Sequence, residues 1–220
     1  MKDLNLISQL TYYFTHNGLY VLQQFNRTFL MAIYGVLLGA IVGIPIGIWI
    51  SQHRKLSPAI IGIANVIQTI PSLAMLSILM LGLGLGENTV IVTVFLYSLL
   101  PIIKNTYTGM LSVNPHVLDA GKGMGMTRWQ VLTTIRIPLS LAVMIAGIRN
   151  ALVVGIGITV IGSFIGAGGL GDIIIRGTNA TNGGAIILAG ALPTALMAII
   201  TDIVLSLIEK RLTPKTSSAR

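Results

Sequence analysis

The chain has 220 residues, of which 54% are hydrophobic and only 9% charged, with a mean hydropathy of +0.87. Soluble domains carry about 25% charged residues, so this composition excludes a soluble protein and describes a polytopic membrane protein with room for five or six spans of about 20 residues. The net charge of +8 fits basic residues flanking membrane spans rather than a nucleic-acid surface, and the lack of cysteine excludes disulfides, thiol chemistry and Cys-based metal sites.

In chain order, residues 1–27 come first. Leu4, Ile7, Leu10, Thr11 and Phe14 recur at helical spacing among polar residues, which predicts an amphipathic helix at the membrane interface. A signal peptide does not fit, because the apolar run is short and interrupted and no small-residue cleavage site follows. Residues 28–208 read as the transmembrane domain. Its first span is Phe29–Ile50, with Gly35, Gly39, Gly43 and Gly47 every fourth residue. Small residues at that spacing admit a neighbouring helix closely, and Pro45 is expected to kink the span. A polar loop with Arg54 and Lys55 follows.

The second span, Ala59–Leu85, is interrupted at Gln68-Thr69-Ile70-Pro71-Ser72. Polar groups and freed backbone at membrane depth need partners or a wet cavity. Two readings stand: a kink whose polar groups bond to neighbours, or a piece of the translocation pathway with Gln68, Pro71 and Ser72 beside it. Gly82, Gly84 and Gly86 form a turn, and Asn88–Ile103 is the third span, with Tyr97 in it. Ile137–Ile165 is the fourth span. Its Arg149 is a charge near the bilayer midplane, either a pathway residue or a structural one bonded to backbone carbonyls. Gly166–Gly171 reads as a bend. It is no phosphate loop, since it follows an apolar helix and lacks the Lys-Ser/Thr pair. Asp172–Gly183 is expected to be a polar loop. Gly184–Ile208, with Asp202, is the fifth span, and residues 209–220 form a basic tail. His16, His53 and His116 are scattered, and neither catalytic residues nor a metal site is expected.

Basic residues set the expected orientation. With the N-terminus outside, ten fall on the inner side: Arg54, Lys55, Lys104, Lys122, Arg128, Arg136, Lys210, Arg211, Lys215 and Arg220. Only Lys2, Arg27 and Arg176 fall outside. The positive-inside rule then gives five spans, N-out and C-in, with the polar stretch Asp119–Leu139 in the cytoplasm.

That stretch reads DAGKGMGMTRWQVLTTIRIPL. Pro115 suits a helix start, and Asp119 to Lys122 is expected in its first turn, where an acid favours the positive end of the helix dipole. Gly121, Gly123 and Gly125 permit a sharp bend, Thr127 suits an N-cap for a helix to Arg136, and Pro138 is expected to redirect the chain into the fourth span. The product is a helix–turn–helix knuckle shaped to enter a groove on a partner.

The same stretch resembles the cytoplasmic coupling loop of ABC importer permeases. That pattern is an acidic residue, two alanines, three variable residues and a glycine, with a proline further on. Asp119, Ala120 and Gly121 stand at its start, Gly125 at its key glycine, and Met126, Thr127, Trp129 and Pro138 follow. QTIPSLA (68–74), LYSLLPIIKNTYTG (96–109), AGIRNA (146–151) and FIGAGGLGD (164–172) resemble the osmoprotectant permeases of bacteria. The resemblance implies an all-α, methionine-importer-like permease fold of five transmembrane helices in the cytoplasmic membrane. It implies a coupling segment at 109–137, a second permease subunit (identical or related), an ABC ATPase dimer and an extracellular substrate-binding protein. ATP and Mg would sit on the ATPase, with no cofactor in this chain. The implied cargo is glycine betaine, carnitine or choline. A quaternary ammonium group donates no hydrogen bonds and is recognised by aromatic faces, to which Tyr34, Tyr97 and Tyr107 are candidates to contribute. The alternatives are a permease for another small solute such as an amino acid, or an ATP-independent secondary transporter. The latter usually carries intramembrane acids or inverted repeats.

Overall fold

The computed structural model describes residues 5–181 and 183–213, and every regular element in them is helical. The order is α1 (Leu6–Gln52), α2 (Ser57–Thr69), α3 (Ser72–Leu83), α4 (Glu87–Leu111), α5 (Pro115–Gly123), α6 (Arg128–Gln130), a π-turn (Val131–Arg136), α7 (Ile137–Ile161), a 3-10 turn (Gly162–Ile165), α8 (Leu170–Thr178) and α9 (Gly184–Leu212). Four stretches are long and apolar enough to cross a membrane: α1, α4, Arg128–Ile165 and α9. The fifth candidate is the pair α2 and α3, bent by 94° at its break.

The core forms around α1 and α4. A Cβ on Gly35 would stand 2.6 Å from Val94, and one on Gly47 2.6 Å from Thr106. Between them, Gly39 faces Ser98 and Gly43 faces Ile102. Both rows advance by four residues, so the glycine groove of α1 receives a ridge of α4 along its length. The close approach expected of these glycines is made with α4. Met31, Val36, Leu76, Val90, Val94, Ile102 and Ile158 fill this core, and Ile156, Leu170, Ile173, Ala189 and Met197 fill a second one toward α8 and α9. Along α9, Leu196, Ile199, Ile203 and Leu207 stay exposed, as on a helix that faces lipid or another subunit.

Three expectations change. The segment 1–27 and the first span are not separate elements: α1 runs unbroken from Leu6 past Arg27 and through Pro45. Its 47 residues extend roughly 70 Å, about twice the hydrocarbon core. Packing carries the helix across that boundary, since Tyr13, Phe14, Tyr20 and Phe25 join the second core. The expected loop Asp172–Gly183 contains α8. Leu170, Ile173, Ile174 and Gly177 lie on one helical face and are buried or half-buried. The polar residues of the other face had masked that period: Asp172 accepts from Tyr20 Oη at 2.8 Å and pairs with Arg176 at 2.8 Å. Finally, the helical part of the tail reaches Leu212, while residues 214–220 and Lys2 lie outside the described residues.

The Gly166–Gly171 bend forms as expected, with Gly166, Gly168 and Gly169 at positive φ. It is tied to α1, because Gln24 Oε1 accepts from Gly169 N at 2.7 Å and Thr28 Oγ1 from Leu170 N at 2.8 Å. These two side chains satisfy orphan donors at the start of α8. Arg27 pairs with Glu87 at the start of α4 nearby.

Candidate functional site

The knuckle is specified by its own local chemistry. Asn114 Oδ1 accepts from His116 N at 2.9 Å, and Pro115 occupies the first turn, so α5 has a defined start. It stops just as sharply. Met126 N donates to Gly121 O at 3.1 Å and Gly125 N to Lys122 O at 2.9 Å, with Gly125 at φ +80°. That is the Schellman pattern, which requires a left-handed residue and favours glycine there. Two residues on, Thr127 and Gln130 form a reciprocal capping box: Gln130 N donates to Thr127 Oγ1 at 3.3 Å, and Thr127 N to Gln130 Oε1 at 2.8 Å. Stop and start are therefore written into six consecutive residues.

Gly121 has a packing role. A Cβ there would lie 2.6 Å from Ile135 Cδ1 and 3.2 Å from Met126 Sδ, so the bare backbone of α5 rests on the π-turn. Gly125 has open space around it within the chain. Ala120, Gly123 and Thr127 are exposed with it. Trp129 is 71% exposed and Met124 76%, which puts two large apolar side chains in the open on a short polar element. Such residues are characteristic interface anchors. The sequence reading included Met126 and Trp129 and missed Met124. Met126 is half-buried.

Asp119 differs from expectation. Because α5 begins at Pro115, Asp119 lies beyond the first turn, where no acid is found. The dipole argument falls away, and the carboxylate instead pairs with Lys122 at 2.9 Å on the same exposed face. The Lys122 ammonium donates to it and holds its carboxyl below the usual carboxylate range.

Pro138 does not redirect the chain. It occupies the first turn of α7, and the helix continues through it. Ile137 N donates to Leu132 O, five residues back, in the π-turn. The turn's extra residue accommodates the helix around a proline ring that would clash in a regular one. Arg128 to Ile165 is accordingly one continuous span.

The pathway candidates fall in two places. Gln68, Pro71 and Ser72 lie at the α2–α3 break, and Tyr97 of α4 reaches it: its hydroxyl donates to Ile70 O. Tyr97 is buried among Ile67, Ile70, Met75 and Leu76. The break thus has a dedicated donor for a carbonyl that helix geometry no longer satisfies. Gln68 and Ser72 are half-buried, Pro71 is exposed, and neither polar side chain has a hydrogen-bond partner among the described residues. Arg149 is elsewhere, on the side of α7 that meets α9. Its Nη1 is 3.5 Å from Asp202 Oδ1 and its Nε 3.5 Å from Glu209 Oε2. Paired carboxylates take the place of the expected backbone carbonyls, and Glu209 was missed because it was read as the start of the tail.

A bundle of long apolar helices carrying an exposed, capped knuckle is the build of a multi-pass membrane protein. The chain matches the family described as binding-protein-dependent transport system inner membrane component over residues 35–214, and it belongs to that family. It is the permease subunit of an ABC importer, a multi-pass protein of the cytoplasmic membrane. Over 211 residues it is 61% identical to the glycine betaine/carnitine/choline transport system permease protein OpuCD of Bacillus subtilis, covering 96% of this chain and 92% of that one. It is 58% identical to the carnitine transport permease protein OpuCD of Listeria monocytogenes, with 96% and 95% covered. To the choline transport system permease protein OpuBD of Bacillus subtilis it is 57% identical, with 96% and 93% covered. Its fold is that of a solved chain of the MetNI methionine ABC transporter in an inward-facing conformation. The TM-score is 0.78 at 18% identity, covering 88% of this chain and 96% of that one.

Proposed function

We propose that this permease moves quaternary ammonium osmoprotectants (glycine betaine, carnitine or choline) into the cell, driven by a separate ATPase that grips Asp119–Leu139. The observation that carries the cargo class is the 57–61% identity, over 96% of the chain, to permeases named for those three solutes. The proposed assembly has two permease subunits, an ABC ATPase dimer holding ATP and Mg, and an extracellular binding protein. This chain contributes no cofactor. The proposed orientation is N-out and C-in, which puts the knuckle on the ATPase side.

The geometry supports a mechanical role for the knuckle. Met124 and Trp129 are exposed anchors, and Gly125 leaves room for a partner surface against the turn. Because α6, the π-turn and α7 are continuous, displacement at Trp129 passes into α7 without an intervening joint. From α7 it reaches α4 by direct packing and α9 through the pairs of Arg149 with Asp202 and Glu209. The break beside Tyr97 is the proposed wall of the pathway. Its polar groups Gln68 and Ser72, unpaired among the described residues, offer weak contacts suited to a solute that must leave again.

The test is uptake into proteoliposomes containing the assembled importer, with and without internal ATP, across a panel of betaines and neutral amino acids. ATP-dependent uptake confined to quaternary amines is expected. Uptake of amino acids instead, or uptake that continues without ATP, contradicts the reading.

A further inference from the structure

A cleft of about 570 Å³ opens where α1 ends and the π-turn leads into α7. The knuckle forms one wall of it, with Lys122, Met126 and Arg128, and the end of α1 the other. Arg54, Lys122, Arg128 and Arg136 line it, together with the apolar side chains of Val131 and Leu132. Lys122 has Asp119 as its partner. Among the described residues, Arg54, Arg128 and Arg136 have no carboxylate within ion-pairing distance. The Nε–H of Arg136 is shut off from solvent and has no acceptor among the described residues. That buried donor is costly to the chain, and the three unpaired guanidinium groups leave the cleft with uncompensated positive charge.

The geometry points to a site for a phosphate-bearing anion in this cleft. Guanidinium groups present planar forks of donors that match phosphate oxygens, and charge-assisted bonds of this kind are the strong ones. The position also matters. Ser51 and Gln52, at the last turn of α1, line the cleft on one side, and Arg136, at the threshold of α7, lines it on another. Both helices are membrane spans, so the cleft lies near headgroup height, where basic pockets between helices hold anionic lipids. The phosphate belongs either to such a headgroup or to a soluble compound. The inference is independent of which solute the importer carries.

The experiment uses the assembled importer in nanodiscs of phosphatidylcholine, alone or with phosphatidylglycerol. Native mass spectrometry counts retained phosphatidylglycerol, and thermal unfolding of the phosphatidylcholine sample is followed as inorganic phosphate is added. Wild type is expected to hold one of the two tightly. Retained phosphatidylglycerol identifies a headgroup, and stabilisation by inorganic phosphate alone identifies a soluble source. Arg136→Gln and Arg54→Gln are each expected to weaken binding about tenfold, the loss of one charge-assisted contact. Arg54 is exposed, so its variant keeps the test valid if Arg136→Gln fails to fold. Arg211→Gln, at the end of α9 and outside the cleft, is expected to leave binding unchanged. Three results overturn the inference: neither anion binds; Arg211→Gln weakens binding as much as the other two, which marks nonspecific surface charge; or the free permease binds but the assembled importer does not, which means a partner side chain fills the cleft.

Discussion

At the scale of single residues, the α2–α3 break rests on one hydroxyl. Tyr97 donates to Ile70 O from a buried position, and no second donor to that carbonyl is recorded among the described residues. Tyr97→Phe keeps the ring and its packing but deletes the donor. The expected cost is about 1–3 kcal/mol, the penalty for an orphaned buried acceptor, read as a lower thermal unfolding midpoint in detergent. An unchanged midpoint would mean that water or another group satisfies Ile70. Gln68 and Ser72 test a different property, because they have open hydrogen-bonding capacity and little structural duty. Gln68→Leu and Ser72→Ala are expected to alter uptake rate or selectivity while leaving the unfolding midpoint nearly unchanged. If both leave transport untouched, the break is architecture and the pathway runs elsewhere.

At the scale of elements, helix contacts are set by the rows of side chains that face one another. The α1 glycines admit Val94, Ser98, Ile102 and Thr106 in a single line. At Gly39 a Cβ would overlap the Ser98 hydroxyl and stand 2.9 Å from Ser98 Cβ, a contact that turning the hydroxyl does not relieve. Gly39→Val is therefore expected to destabilise the bundle by about 1–3 kcal/mol or more through overpacking, measured as loss of folded protein on heating. Gly18→Val on the same helix meets nothing within 4 Å and is the matched control. If the two variants unfold alike, the groove is not what holds α1 to α4. This period-four stripe was legible in the sequence because it depends on residue size and spacing alone. The knuckle was legible for a related reason, since its helix stop and its N-cap are local signals at Gly125 and Thr127. What stayed hidden was long-range. Nothing near Tyr97 in sequence names Ile70 as its acceptor, and nothing near Arg149 names Asp202 and Glu209. The helix of α8 was hidden because its polar face, satisfied by Tyr20 from across the chain, looked like a loop.

At the scale of the whole molecule, orientation is the first matter to test. The chain has no cysteine, so single-cysteine labelling with an impermeant thiol reagent has a clean background. Gln52→Cys, at the exposed end of α1, is the inner probe. Asn179→Cys, exposed after α8, is the outer one. In intact cells Asn179→Cys is expected to be labelled and Gln52→Cys protected until the membrane is opened. The reverse pattern would put the knuckle outside and separate it from any ATPase.

In the proposed mechanism the knuckle transmits force between the ATPase and the bundle. Gly125 has φ +80° with open space around it in this chain. A side chain there forces a left-handed residue, at a cost of about 1–2 kcal/mol, and thrusts a ring into the face offered to the partner. Gly125→Trp leaves every membrane span unaltered, so insertion is expected to survive. The measurement is ATP hydrolysis by the assembled importer, with and without solute-loaded binding protein, for wild type and Gly125→Trp side by side. Wild type is expected to hydrolyse faster when the loaded binding protein is added, and Gly125→Trp to lose that stimulation along with uptake. Normal stimulated hydrolysis and normal uptake in Gly125→Trp would contradict the account, because the coupling would then pass through some other part of the chain.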